Sequence, residues 1–397
     1  MPRRDEGYTL VELVVVMAIF SIVTTLISVS FSKIVASSGQ IVKSTETDIG
    51  GLIGLEVLRC DLEFAGFGLP WSTGGASYSG EVGSGVNLVS GNPDTGAAQF
   101  NDDYQSPPRA FRMLNDKGFN RSDYLVIKGT AVGMSKTARR WSYTYLNYSS
   151  SRPIQKVNSA AEPPENGDRV IVLSSAQKEG VEVRDLVTAT PGSTFSVSYS
   201  GDVGQFPQAF WPKSREDRYI IYGVSPAKSD VNNNSLPLSF PFNRADYYID
   251  RDQDRISSIC ADGTGILYKS TINQNGGSPG YTKYPILDCV ADLQVIFMLD
   301  SNLDGEMDLP LNDLSGLGAS DLREQVKEVR VYILAQQGKK DPTYSYPVSD
   351  PGNVFVLGDA ANGRVWRESD LIAEIGGDWM HYHWKIYTIV VQPKNLQ

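Results

Sequence analysis

Three groups of residues in this sequence could do chemistry. The first is Glu12, a lone carboxylate in the apolar run that leads from Leu10 to Val23. A carboxylate in a membrane span costs on the order of 3 kcal/mol, so it calls for a cationic partner. Cutting the chain after Gly7 would create one, a free amine on Tyr8 four residues before Glu12. The alternative is a side chain that snorkels to the headgroups from the span's end.

The second group is Cys260 and Cys289. They flank a loop with turn chemistry, Ala261-Asp262-Gly263-Thr264-Gly265, and Cys289 opens a long apolar strand. In an oxidising compartment this pair is expected as a disulfide, and closing the loop would stabilise the fold by roughly 3–4 kcal/mol. Two buried thiols are the alternative. Cys60 is left over and is read as a buried apolar residue.

The third group is Asp300-Ser301-Asn302-Leu303-Asp304-Gly305-Glu306-Met307-Asp308. Oxygen side chains recur at every second residue, with Gly at the sharp turn. Asp300, Asn302, Asp304, the Glu306 carbonyl and Asp308 have the spacing that wraps one hard cation, Ca2+. The acid normally found at the twelfth position is Leu311, with Asn312 and Asp313 as substitutes. An acidic hairpin turn without metal is the competing reading. Asp250, Asp252 and Asp254 alternate without a Gly and are read as a solvated turn. His381 and His383 are placed at alternate positions of an aromatic, partly buried strand, with no third ligand for a metal. The sequence holds only two His and three Cys. HExxH and a P-loop are absent. The expectation is no catalytic residue, no organic cofactor and no enzyme activity.

The element that must carry Glu12 is a helix. Apolar residues continue to Val29, so the run is about 20 residues, or roughly 30 Å of helix, the thickness of a bilayer's hydrocarbon core. Arg3-Arg4 precede it and should keep the leader cytoplasmic. A secretory signal peptide would be cut after its apolar core at small residues, and Ile27-Ser28-Val29-Ser30 offers no such site. Helical period continues through Ile34, Val35, Ile41, Val42, Leu52, Leu55 and Leu58, with charges between. No proline occurs between residues 3 and 69. One helix is therefore expected from Tyr8 to about Glu63. Gly39, Gly50, Gly51 and Gly54 would be bends in it, or places where another backbone packs closely.

Beyond it the chain reads as β. Residues 71–108 are rich in Gly, Ser, Asn and Asp and are expected as a long surface excursion, with a short strand near residues 86–89. Alternating or β-branched runs follow at 123–128, 141–146, 169–173, 181–183, 194–199 and 218–222. Later runs lie at 246–249, 265–269, 290–299, 326–334 and 384–391, with a short helix at 320–325. The polar stretch 229–235 is a linker-like break. The net charge of −10 argues against nucleic acid and anionic membrane surfaces as partners. Charged residues are only 21% and Gly and Tyr number 37 and 20, which suits a folded, loop-rich β body.

Gly7-Tyr8-Thr9-Leu10-Val11-Glu12 and the run after it resemble the class III signal of type IV prepilins and secretion pseudopilins. The resemblance implies that a membrane peptidase cuts after Gly7 and methylates Tyr8. It implies that Glu12 pairs with a neighbouring subunit's N-terminus in a helical filament core. Tyr8 stands where Phe is usual, and Asp5-Glu6 put acid beside the cut. Asp61-Leu62-Glu63-Phe64-Ala65-Gly66-Phe67-Gly68 resembles the helix end of the large PilW-type minor pilins. Cys289-Val290-Ala291-Asp292-Leu293-Gln294-Val295 and the close on Pro393-Lys394-Asn395-Leu396 resemble their C-terminal region. The likeness covers 7–68 and 246–397 and is thin between 69 and 245.

It implies an α+β fold, a long N-terminal helix on a large antiparallel β-rich pilin-like body. The expected plan is a leader (1–7), a transmembrane or filament-core helix (8–30), its amphipathic continuation (31–68), a β-rich region with a Gly-rich insert (69–230) and a C-terminal β-rich region (231–397). The implied function is priming or tip assembly of a type IV pilus. The implied partners are the prepilin peptidase, other minor and major pilins, inner-membrane lipids before assembly, and a tip adhesin. The implied location is the bacterial inner membrane, single-pass with the body periplasmic, and then the pilus. A J-type pseudopilin of type II secretion is the alternative. So is an anchored adhesin-like module whose insert, about 71–115, binds a glycan or protein.

Overall fold

The structure is a computed structural model and describes residues 10–76, 78, 80–147, 149–156, 162–178, 181–189, 194–229, 236–274, 280–359 and 361–396. It opens with helix α1, Leu10–Glu63, of 54 residues, about 80 Å at 1.5 Å per residue. Residues 10–31 are exposed all round. From residue 50 onward, where side chains are again described, the helix has two faces. Leu55, Leu58 and Leu62 are buried and Leu52 and Ile53 exposed, the stripe expected of a helix laid on a sheet.

The body is antiparallel β. Its first strands are β1 (Phe111–Leu114), β2 (Tyr124–Gly129), β3 (Trp141–Leu146), β4 (Pro153–Lys156), β5 (Arg169–Lys178), β6 (Val181–Leu186), β7 (Ser196–Ser198) and β8 (Arg218–Ser225). Then come β9 (Asn243–Asp250), β10 (Gly265–Ile272), β11 (Tyr281–Leu299), β12 (Leu309–Leu311), β13 (Val326–Gln337), β14 (Phe355–Leu357), β15 (Arg364–Trp366) and β16 (His383–Val391). Helix α2 (Ala319–Gln325) precedes β13 and α3 (Glu368–Glu374) follows β15. The main sheet runs β1-β2-β9-β10-β11-β13-β16, with β12 on β11. It takes strands from both sides of residue 231. The second sheet runs β4-β3-β8-β5-β6, with β7 on β5, and β14-β15 form a separate hairpin.

Strand β11 is the spine. At 19 residues it pairs β10 and β13 together, and its register slips between Val290 and Asp292. The core-facing side of α1 joins one apolar cluster with β2, β9, β10, β11 and β13. A second, aromatic cluster gathers Phe355, Trp366 and Trp379 beside β16, and a third lies in the smaller sheet around Val172, Phe206 and Ile221.

Residues 71–108 depart from expectation. They are only in part a surface excursion, and 86–89 is not a strand: a single bridge joins Asn87 to Gly96. Tyr78, Val82, Leu88, Val89 and Phe100 are buried. The segment is held by charge rather than by a ladder. Lys128 Nζ lies 2.7 Å from both Glu81 and Asp102. Arg244 reaches Glu81 at 3.1 Å and Asp246 at 2.7 Å, and the side chains of all five are at most 3% exposed. Buried charges are kept only when paired this way.

His381 also differs, lying in a 3-10 turn before β16 rather than on the strand. Its Nδ1 meets the Tyr344 carbonyl at 2.7 Å, while His383 stacks on the Tyr344 ring at 3.8 Å. Asp250 is buried and accepts bonds from Ser90 and Lys283, so it is no solvated turn. Residues 230–235 of the linker-like stretch lie outside the described residues.

Candidate functional site

Gly7 and Tyr8 lie outside the described residues. Glu12 sits in the first turn of α1, where the helix dipole favours a negative charge. It is exposed, as are Leu10, Val11, Leu13, Val14 and Val15 around it. The span from Leu10 to Phe31 is 22 residues and long and apolar enough to cross a membrane. Its hydroxyls fit that setting. Ser21, Thr24 and Thr25 each donate to the carbonyl four residues back, at 2.8–2.9 Å, so none carries an unmet donor into lipid.

The other end of α1 is locked to the body. Asp61, 2% exposed, lies 2.5 Å from Lys269 Nζ on β10. It also accepts the Tyr247 hydroxyl of β9 at 2.7 Å. Burial raises the Asp61 carboxyl above its usual range, and the Lys269 ammonium works against that rise. About two turns earlier the helix comes down on β11. A Cβ on Gly54 would fall inside the Ile286 carbonyl group, whereas Gly50 has open space around it. Gly54 is thus a close-approach position and Gly50 is not. Gly66, at φ +78°, then turns the chain out of the helix. Its N–H donates to Lys128 O at 2.9 Å, and Thr130 N–H donates to Phe67 O at 2.7 Å. The helix end is thereby stitched to the end of β2.

The C-terminus closes this junction. Lys394 N–H donates to the Glu63 carbonyl at 3.1 Å, and the Lys394 ammonium pairs with the Glu63 carboxylate. That bond holds the Glu63 carboxyl below its usual range, burial opposing. Leu396 is buried against Gly66. Segments 61–68 and 393–396 therefore meet in space. Segment 289–295 supplies Asp292. This buried carboxylate accepts the Trp366 indole N–H at 2.6 Å and Gln294 Nε2 at 3.0 Å, and burial raises its pKa.

Cys260 and Cys289 form a disulfide across 29 residues. It fastens the loop before β10 to the point where β11 turns through a left-handed residue, Cys289 at φ +54°. Cys60 is half-buried rather than buried, with its thiol 3.6 Å from Glu56. In the Asp300–Asp308 loop, Asp300 accepts the N–H groups of Asp304 and Gly305 at 3.0 and 2.9 Å. Asp308 accepts the N–H and hydroxyl of Ser301, and Asn302 donates to Asp304. The loop is thus ordered by its own hydrogen bonds, and Glu306 is exposed beside them. Among the described residues no three His, Cys, Asp or Glu side chains converge on a metal position.

Residues 2–28 match the prokaryotic N-terminal methylation motif. No curated protein and no solved structure matches the chain. The methylation motif contains Gly7, Tyr8 and Glu12 together with most of the apolar span. The chain therefore carries the N-terminus of a type IV pilin-like prepilin, a substrate for prepilin peptidase and a partner for pilin-type subunits. Its helix is the membrane-anchoring element such a signal requires.

The sequence reading missed the anchoring residues of the junction. Asp61 was visible only as part of a helix stop. The available signal was an acid set one turn after Leu58 in the buried stripe, and single cations, Lys269 and Lys128, inside apolar strands.

Proposed function

We propose that this chain is a minor pilin of the PilW kind that takes part in priming or tip assembly of a type IV pilus. The carrying observation is the combination of a methylation motif with a lone carboxylate at Glu12 on a helix exposed along residues 10–31. In this reading the span waits in the inner membrane with its N-terminus cytoplasmic and its body periplasmic. After cleavage behind Gly7, the amine of Tyr8 and the carboxylate of Glu12 set register between neighbouring subunits. The apolar surface then exchanges lipid for neighbouring helices. The body, several hundred residues on one helix, suits low copy number at a tip rather than a densely stacked shaft. The mechanism is assembly and not turnover.

The test is Glu12→Ala in the native host. The variant should be cleaved and methylated normally yet be lost from purified filaments. Normal incorporation would remove the register role. A J-type pseudopilin of type II secretion shares this N-terminus and is the second reading; neighbouring genes for a secretion channel would favour it. The Asp300–Asp308 loop enters the proposal only as a calcium-stabilised turn. A rise in Tm on adding calcium would support that role, and an unchanged Tm would remove it.

A further inference from the structure

A cleft of about 570 Å³ opens between Trp71, the strap around Asp103 and Arg109, and helix α2. Two guanidinium groups line it, and both are held in place. Arg109 gives its Nε and its backbone N–H to Asp102, at 2.8 and 2.9 Å, and Asp102 is pinned in turn by Lys128. The Arg323 guanidinium sits over Trp71, 4.1 Å from the ring centroid, and Arg184 sits at 5.3 Å from the same ring. Two guanidinium groups thus pack on the indole, and Trp71 acts here as a support for Arg323. Asp103, Ser106 and Ser320, all exposed, add an acidic acceptor and two hydroxyls to the rim.

We propose that this cleft binds a polyhydroxylated carboxylate, the chemistry of a uronic acid residue. Fixed guanidinium groups match a carboxylate with paired hydrogen bonds. Their orientation is set before the ligand arrives, which lowers the entropy lost on binding. A simple anion would use the arginines and meet repulsion from Asp103. A sugar acid uses both, placing hydroxyls on Asp103 and Ser106 and its carboxylate on Arg109 and Arg323. The volume lies within the range of small-molecule sites and accommodates one or two sugar rings. The inference does not depend on filament assembly.

The test is calorimetric titration of the full chain in detergent micelles with glucuronate and galacturonate. Glucose, galactose and acetate serve as probes lacking one half of the chemistry. The uronates should bind, and all three controls should bind at least about tenfold more weakly. Arg323→Gln should weaken uronate binding by about tenfold or more, the worth of a charged hydrogen bond, while Glu12→Ala leaves it unchanged. If Arg323→Gln lowers Tm, Asp103→Asn replaces it and should weaken the uronates but not acetate. Absence of uronate binding, acetate binding as tight as the uronates, or full affinity in both cleft variants would overturn the proposal.

Discussion

Asp61 Oδ2 and Lys269 Nζ lie 2.5 Å apart where helix α1 meets strand β10, and both side chains are at most 2% exposed. The span of α1 that enters a membrane or filament is thus fixed to its body by a buried ion pair. Any force passed along the helix reaches the main sheet at this point, at the Gly54 contact with β11 and at the helix end on β2.

Asp61→Ala should destabilise the body by about 3–5 kcal/mol, because it leaves the Lys269 ammonium buried without its partner. Asp61→Asn, which keeps an acceptor for Tyr247, should be milder. Denaturant unfolding of the full chain in detergent measures both. Equal stability of Asp61→Ala and the parent would show that the pair does not hold the junction.

Gly54→Ala and Gly50→Ala should have opposite signs although each raises helix propensity by up to about 1 kcal/mol. At Gly50 a methyl group meets open space, so stability should be unchanged or higher. At Gly54 it meets the Ile286 carbonyl, and overpacking should cost about 1–3 kcal/mol net. The readout is the difference in Tm between the two variants.

These residues show what was legible in the sequence. The long helix could be read because hydrophobic spacing and the lack of proline are local signals. So could most strands of the main sheet and the Cys260–Cys289 bridge. Residues 71–108 could not, since their placement rests on Glu81 and Asp102 meeting Lys128 and Arg244 from distant strands, which leaves no local period. The short strands β1, β4, β12, β14 and β15 and the helix α3 also lacked a run long enough to show alternation. At Glu12 the reverse held: residue type and spacing pointed to the signal, while Gly7 and Tyr8 lie outside the described residues.

Asp102 predicts a pH dependence. Burial acts to raise its carboxyl, but Lys128 and the bonds from Arg109 prevail and hold it below the usual range. A depressed folded-state pKa means its stabilisation is complete above the unfolded value, about 3.9, and is lost as pH falls through the folded value. Asp102→Asn should therefore be less stable than the parent by about 3 kcal/mol at pH 7. That gap should persist down to about pH 4 and close below it. A gap that is constant between pH 7 and pH 2 would exclude this role.

Cys260→Ser with Cys289→Ser should lower stability by about 3–4 kcal/mol on the chain-entropy account. The loss should appear equally when the parent is unfolded under reducing conditions. A double variant as stable as the oxidised parent would mean the bridge contributes nothing to the fold.

The claim that the first residues are a prepilin signal is tested most directly by mass spectrometry of the N-terminal peptide of the chain isolated from its native membranes or filaments. The account predicts a mature chain that lacks residues 1–7 and begins with N-methylated Tyr8. A chain that retains residues 1–7, or one that begins beyond the apolar run after Ser30, would contradict it.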